Sequence, residues 1–303
     1  MPIISVITIN YNSSDYTIKL AKTLKEYTST SLDYELIIVD NASSKEEKEK
    51  LKVLENQDKI KIVYSRLNTG FSAGNMMGVQ HSNADYYFFL NNDTELRNDV
   101  LSIFYEYALQ NQKSALISAQ IFADENDTID TSFTTFPSLS ASLFGSKVAS
   151  LFKKHKFPSR KELLKEPRDV EVVRGSCMFA NAKVFDKLGG LETLFFLYCE
   201  EEDISKRVWD AGYHVTIVPQ AKIIHFGGGS SEQKYALEKE FYLSYFLLID
   251  KHFGFCSAKI MKCLTVFKLF RRSFRSPHYF NIFLFLLRGG PVKESLRYKQ
   301  SII

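Results

Sequence analysis

The chain has 303 residues, 45% of them hydrophobic and 24% charged, as expected of a globular protein with one large domain and an appendage or two small domains. Its net charge of +4 is too small to indicate nucleic acid, and its four cysteines lack the CxxC spacing of a metal finger. No run reaches the roughly 20 apolar residues that cross a bilayer, and Met1-Pro2 opens straight into an apolar segment without a basic leader. The expectation is a cytoplasmic protein with free thiols, or one held peripherally on the cytoplasmic face of a membrane.

Ile3 to Ile9 predicts a buried strand, closed by the polar turn Asn10 to Asp15, which can cap a helix over Tyr16 to Tyr27. A second strand, Glu35 to Val39, ends at Asp40-Asn41, and a charged helix follows over Lys45 to Leu54. Ile60 to Tyr64 is a third strand. The loop Arg66 to Asn75 then opens a helix reaching about Ser82, and Asp85 to Leu90 is a fourth strand. Strands alternating with helices across short connections predict an α/β fold with a parallel sheet and right-handed crossovers.

The strongest local signal is Tyr86-Tyr87-Phe88-Phe89-Leu90-Asn91-Asn92-Asp93-Thr94-Glu95. An unbroken apolar run reads as a strand covered on both faces. Its polar end lies where open α/β sheets place ligands, and its oxygens suit a hard divalent cation. Asn-Asn-Asp is also ordinary turn chemistry. Four strands ending in polar residues make one polar rim, as a nucleotide site requires. A dinucleotide fold is excluded because the first turn holds no glycine, and no P-loop is present.

A helix over Val100 to Gln110 and a strand over Ala115 to Ile121 continue the domain, and Asp124 to Arg168 form an irregular insert, either a flap over a site or a membrane-facing loop. Val170 to Val173 leads into Arg174-Gly175-Ser176, then a short helix over Ala182 to Leu188. Phe195 to Tyr198 and Cys199 precede four consecutive acids, Glu200, Glu201, Glu202 and Asp203, which open a helix whose inner face carries Ile204, Val208 and Ala211. Carboxylates at a helix N-terminus are stabilised as anions, which suits a general base and is equally a common helix preference. Strands over Tyr213 to Pro219 and Lys222 to Ile224 bring His225 to a glycine-rich turn, as a packed residue or a metal ligand.

Together these motifs resemble the family 2 glycosyltransferases with a GT-A fold, in particular the bacterial rhamnosyl- and galactofuranosyltransferase-like branch. The matching pieces run in order: Val6 to Asn12, Ile38 to Ser43, Asn68 to Asn75, Phe89 to Asp93, Arg174 to Ser176, Phe196 to Glu201 with Asp203, and His225 to Ser230. The resemblance implies a catalytic domain over 1–231, with a nucleotide-binding half to about residue 121, an acceptor-side half from about 170, a variable insert over about 124–168, and a helical extension over 232–303. It implies a mainly parallel central sheet flanked by helices. It further implies an inverting transferase moving a sugar from a UDP- or dTDP-sugar to a hydroxyl of a glycan or lipid-linked saccharide in cell-surface polysaccharide synthesis.

By the same resemblance, Thr8, Asn10, Asn12, Asp40, Arg66, Asn68, Gly70, Asn75, Asn92 and Asp93 surround the donor, with Asp40 at its base or ribose. Asp93, with His225 as a second ligand, holds Mn2+ or Mg2+, and Gly175 and Ser176 border the donor sugar or acceptor. Glu201 stands at the catalytic-base position. The family usually has Asp there, so Glu200 and Asp203 stay open as alternatives. The competing readings are a sugar nucleotidyltransferase, which lacks the basic residues it needs after the first strand, and a non-catalytic sugar-binding scaffold.

Beyond a helix over Glu238 to Phe253, Ile260, Leu264, Phe267, Phe270 and Phe274 form an amphipathic stripe among Lys and Arg. Such a tail predicts docking on anionic lipid, or else a packing face or a homo-oligomer interface.

Overall fold

The computed structural model describes residues 3–144, 162–227 and 234–300. Parts of the insert, Gly228 to Ser231 of the glycine-rich turn and the proposed 231/232 domain boundary lie outside the described residues. The first half alternates strands β1 (Ile4–Asn10), β2 (Tyr34–Asp40), β3 (Ile60–Tyr64) and β4 (Tyr86–Leu90) with helices α1 (Ser14–Tyr27), α2 (Lys45–Leu51) and α3 (Gly70–Val79). It continues through β5 (Thr94–Leu96), α4 (Val100–Gln110) and β6 (Ser114–Phe122), then α5 (Leu139–Phe144) in the insert. The second half comprises β7 (Cys177–Asn181), α6 (Ala182–Lys187), α7 (Glu200–Asp210) and β8 (His214–His225), followed by α8 (Lys234–His252), α9 (Phe255–Ser273) and α10 (Pro277–Leu287).

Among the described residues these strands form one sheet ordered β3-β2-β1-β4-β7-β6-β8-β5, with Arg168–Asp169 pairing against β8. β1 to β4 are mutually parallel, as the alternating pattern requires. β7 runs antiparallel between β4 and β6, while β8 is parallel to β6. Sequence reading missed β7 and β5: Cys177-Met178-Phe179-Ala180-Asn181 shows neither alternation nor a β-branched residue, and the three residues of β5 are too few for a period to declare itself. It also split β8 in two at Pro219. The strand is continuous, and the register shift between Val218 and Lys222 accommodates the proline, which cannot donate to a ladder.

β4 explains the two-sided core. Tyr86, Phe88 and Leu90 pack with Leu20, Phe104 and Phe179 on one face, while Tyr87 and Phe89 pack with Met178, Phe185, Ile204 and Val208 on the other. Phe88 meets Phe104 edge-to-face at 5.5 Å between centroids, and Phe89 lies 5.1 Å from Phe185. Each buried phenyl contributes about 1.5–3 kcal/mol, so this strand anchors both helical layers and fixes where its polar end emerges. The helical extension does not stand apart from this body. Leu248 of α8 packs on Phe195 and Cys199, and Ser244 donates to the carbonyl oxygen of Leu197 at 2.8 Å.

Candidate functional site

The rim at the ends of β1 and β2 is held together by its own side chains. Asn10 donates to Asp40 Oδ1 at 2.9 Å and to Ser43 Oγ at 3.1 Å, and accepts from Thr17 Oγ1 at 2.8 Å. Asp40 Oδ2 accepts from the Ser43 N–H at 3.2 Å. Asn10 and Asp40 are fully buried, as is Thr8, whose hydroxyl meets no partner among the described residues. Thr8, Asn10 and Asp40, which the resemblance assigns to the donor, thus lie at the inner side of the rim, where Asn10 and Asp40 brace it. Asn12, in the left-handed region at φ 52°, accepts from the Ser44 N–H at 2.8 Å and stays exposed, as does Arg66.

Asn41 governs the loop before α3, a role that sequence reading missed. Its Nδ2 donates to Asn68 Oδ1 at 3.1 Å and to the Gly70 carbonyl at 3.0 Å, while its Oδ1 accepts from the Thr69 N–H at 2.9 Å. Gly70 has φ +80° and lies so close to Phe196 that a Cβ would collide with the carbonyl oxygen of Phe196, which accepts from the Phe71 N–H at 2.7 Å. Asn75 is buried and donates to the Phe71 carbonyl at 3.1 Å, so it too holds the loop from inside.

The Asn-Asn-Asp turn separates into two functions. Asn92 donates to Ser13 Oγ at 2.7 Å and Thr17 Oγ1 at 2.9 Å, which ties the turn to the start of α1. Asp93 instead faces His225: Oδ1 and Nε2 are 3.3 Å apart, both side chains mostly buried. The pairing of β8 with β5, His225 opposite Thr94, delivers the imidazole there, and the Phe226 N–H donates to the Asp93 carbonyl at 3.0 Å. Among the described residues no three His, Cys, Asp or Glu side chains group as a complete metal cage. The pair nevertheless fits Mn2+ or Mg2+, since a carboxylate oxygen and an imidazole at this spacing can share one ion, and such ions take further ligands from phosphates and water.

The acidic helix is entered through strained backbone: Tyr198 and Cys199 both lie in the left-handed region, at φ 72° and 68°. That turn sets the acids against Gly175, where a Cβ would stand 3.7 Å from Glu201 Oε1. The Asn91 N–H in turn donates to the Ser176 carbonyl at 3.0 Å. Gly175-Ser176 thus joins the turn carrying Asp93 to the helix carrying Glu201. Burial raises the Glu201 carboxyl above its ordinary range, opposed by its own backbone N–H, the Arg174 charge and the Gly175 N–H. Burial and the neighbouring Glu201 charge raise Glu200 strongly and lift Glu202 to about 8. Oε2 of each glutamate and the hydroxyl of Ser176 are buried without a partner among the described residues. Buried oxygens in that condition suit a polyhydroxyl ligand.

Asp203 is different in kind and corrects its candidacy as the base. Its carboxylate accepts from Arg207 Nε at 2.9 Å and Nη2 at 2.6 Å, from His252 Nε2 at 2.7 Å, and is paired with Lys251 at 2.8 Å. Burial pushes it up, but the His252 and Lys251 hydrogen bonds and the Arg207 charge outweigh that and hold it at about 2. A fully buried carboxylate so occupied has no lone pair free for an incoming hydroxyl. Arg207 was legible as the i+4 partner on the same helix. His252 carried no sequence signal, because only packing brings α8 beside α7.

The profile described as glycosyl transferase family 2 matches residues 5–189, more than half of the chain. The chain belongs to this family. Among its relatives, the low-salt glycan biosynthesis hexosyltransferase Agl10 of Haloferax volcanii is 29% identical over 208 residues, covering 67% of this chain and 61% of Agl10. Rhamnosyltransferase WbbL of Escherichia coli is 26% identical over 213 residues, covering 64% of this chain and 79% of WbbL. The crystal structure of GalNAc-T7 with UDP, GalNAc and Mn2+ superposes with a TM-score of 0.60 at 14% identity, over 82% of this chain and 48% of that one. This likeness establishes the GT-A fold. The family match ends at residue 189, so the acidic helix and His225 lie beyond it.

Proposed function

We propose that the protein transfers a sugar, in the narrower reading rhamnose, from a nucleoside-diphosphate sugar such as a UDP- or dTDP-sugar to a hydroxyl of a glycan or lipid-linked saccharide in cell-envelope polysaccharide synthesis. The observation that carries this reading is the Asp93–His225 pair on one rim with the buried Glu200–Glu202 cluster, bridged by Gly175-Ser176. Asp93 and His225 would hold Mn2+ or Mg2+, which would supply positive charge to the departing diphosphate.

Asn12, Arg66 and Asn68 border the nucleotide, and the loop from Asn68 to Gly70, set by Asn41, fixes its approach. Glu201 takes the proton from the acceptor hydroxyl as its oxygen bonds to the anomeric carbon. The bond from that carbon to the diphosphate oxygen breaks on the opposite face and the electron pair leaves with the nucleoside diphosphate, so the anomeric configuration inverts. A buried, raised carboxyl is a stronger base once ionised. Gly175 keeps the approach to Glu201 open because it has no side chain.

The test is transfer by Glu201→Gln and Asp93→Ala with sugar nucleotides and Mn2+. Glu201→Gln is expected to lower kcat by about 10²–10⁴-fold while donor still raises the melting temperature. Asp93→Ala is expected to lose the metal-dependent part of that thermal shift. In the native enzyme, kcat/KM falls on the acid side at a pH above the ordinary glutamate range. Unchanged turnover in both variants would falsify the assignment.

A further inference from the structure

α9 carries two apolar faces. Ala258, Met261 and Leu269 are buried on one, against α8 and α10. On the other, Cys256, Ile260, Cys263, Phe267, Phe270 and Phe274 follow one another at alternating steps of four and three residues, and all are exposed. At 3.6 residues per turn these six project within about 40° of one line, opposite the buried face. Phe274 is 77% exposed, Phe267 56% and Ile260 45%. Phe270 packs on Phe283 of α10 with ring centres 5.3 Å apart, and the stripe still leaves far more apolar surface open than a solvated helix face needs. Leu264, which sequence reading placed on it, turns partly inward.

The charge on the stripe's own flanks is positive, and Asp250, which also meets α9, is paired with Lys262. From Lys251 to Lys293 the chain has nine Lys and Arg residues and no Asp or Glu. Lys259 flanks the stripe on one side, its ammonium 4.2 Å from the centre of the exposed Phe255 ring, and Arg271, Arg275 and Lys268 flank it on the other. Lys262 is paired with Asp250 and is not counted among these. Beside the stripe an open apolar groove of about 560 Å³ runs between Phe267 and Phe270 of α9 and Phe283, Leu286 and Leu287 of α10. No described helix is long and apolar enough to cross a membrane.

We infer that this face of α9, with the groove beside it, docks the protein onto an anionic phospholipid surface: the stripe enters the acyl boundary and the flanking cations meet the headgroups. Exposed aromatics in line, cations on both flanks and the absence of acids are the combination that such a surface recognises. An acidic protein would match the cations without needing the apolar stripe, and a second copy would bring the same positive charge against itself. The inference is independent of the sugar-transfer reading, since α9 holds none of the residues assigned to transfer.

The experiment is co-sedimentation of the full chain with vesicles of phosphatidylcholine alone or of equal parts phosphatidylcholine and phosphatidylglycerol. Binding to the mixed vesicles only, weakened by salt, is expected. Phe267→Ser with Phe274→Ser is expected to lower the partition coefficient at least about tenfold, and Arg271→Ala with Arg275→Ala roughly 25-fold, with circular dichroism unchanged. Equal binding to both vesicles, or to neither, overturns the inference whatever the variants do. So does a concentration-dependent dimer in analytical ultracentrifugation that the phenylalanine substitutions dissolve, which would assign the face to a second copy.

Discussion

Glu202 and Asp203 are neighbours in sequence and opposites in titration. Glu202 is half-buried beside Glu201, and desolvation with the Glu201 charge outweighs the opposing Arg174 charge and raises its carboxyl to about 8. Asp203 is buried among Arg207, Lys251 and His252 and held at about 2. A raised folded pKa stabilises the fold below the unfolded value and loses that contribution as pH climbs through the folded one. Glu202 should therefore make the protein progressively less stable between about pH 4.5 and 8, and Glu202→Gln should flatten that limb. Asp203 acts with the reverse sign, stabilising above about pH 4 and ceasing to do so as pH falls towards 2. Urea melts of both proteins across this range check the slopes, and an unchanged alkaline limb in Glu202→Gln would contradict the assignment.

Among the elements, α3 is the one most constrained by close approach. Gly70, Gly74 and Gly78 lie four residues apart on one face, and a Cβ at Gly74 would stand 2.9 Å from Ile9 Cδ1. The helix is therefore pressed against β1, and its first turn against the Phe196 carbonyl. Gly70 carries the further demand of a positive φ. Gly70→Ala must strain the backbone and push Phe196 away, and Phe196 lies four residues before the first residue of the helix of acids. We expect a loss of at least about 2 kcal/mol in denaturant unfolding, with turnover falling further than stability alone accounts for. Gly212→Ala is the control, since it shares the positive φ but its Cβ would meet open space.

At the scale of the whole molecule, the C-terminal helices hold the site in place. Asp203 bridges to Lys251 and His252 of α8, Ser244 caps the Leu197 carbonyl, and Arg297 donates to the Thr193 carbonyl at 2.5 Å. The contacts at Thr193 and Leu197 fall on the segment that leads into α7 across the left-handed pair Tyr198-Cys199, and those of Asp203 fall on the first turn of α7 itself. Breaking one partner of a buried ion cluster costs about 3–5 kcal/mol, so Asp203→Asn should lower stability by that amount. The milder His252→Gln should reduce kcat more than donor affinity, because it loosens the helix carrying Glu201 without touching the nucleotide rim. Equal losses in kcat and donor binding would show a general unfolding instead.

Much of this was legible in the chain. The apolar run of β4 declared a doubly covered strand because no residue in it could face water, and alternation with helices dictated parallel β1 to β4. By resemblance Asp93 and His225 share a metal ion and Gly175 and Ser176 border the sugar; in space Asp93 lies against His225 and Gly175 against Glu201. Local pattern could not separate Glu201 from Asp203, because adjacent acids on one helix share propensity and dipole. Their difference comes from which neighbours surround each one. Nor could it show that Asn10 and Asp40 bond to each other, or that α9 keeps a second apolar face uncovered. Sequence by itself determined most of the helices and the strands β1 to β4 and β6, whose hydrophobic periods are local properties of the chain. Only the tertiary structure decided which carboxylates are compensated and which faces stay open, since burial and ion pairing arise between segments far apart along it.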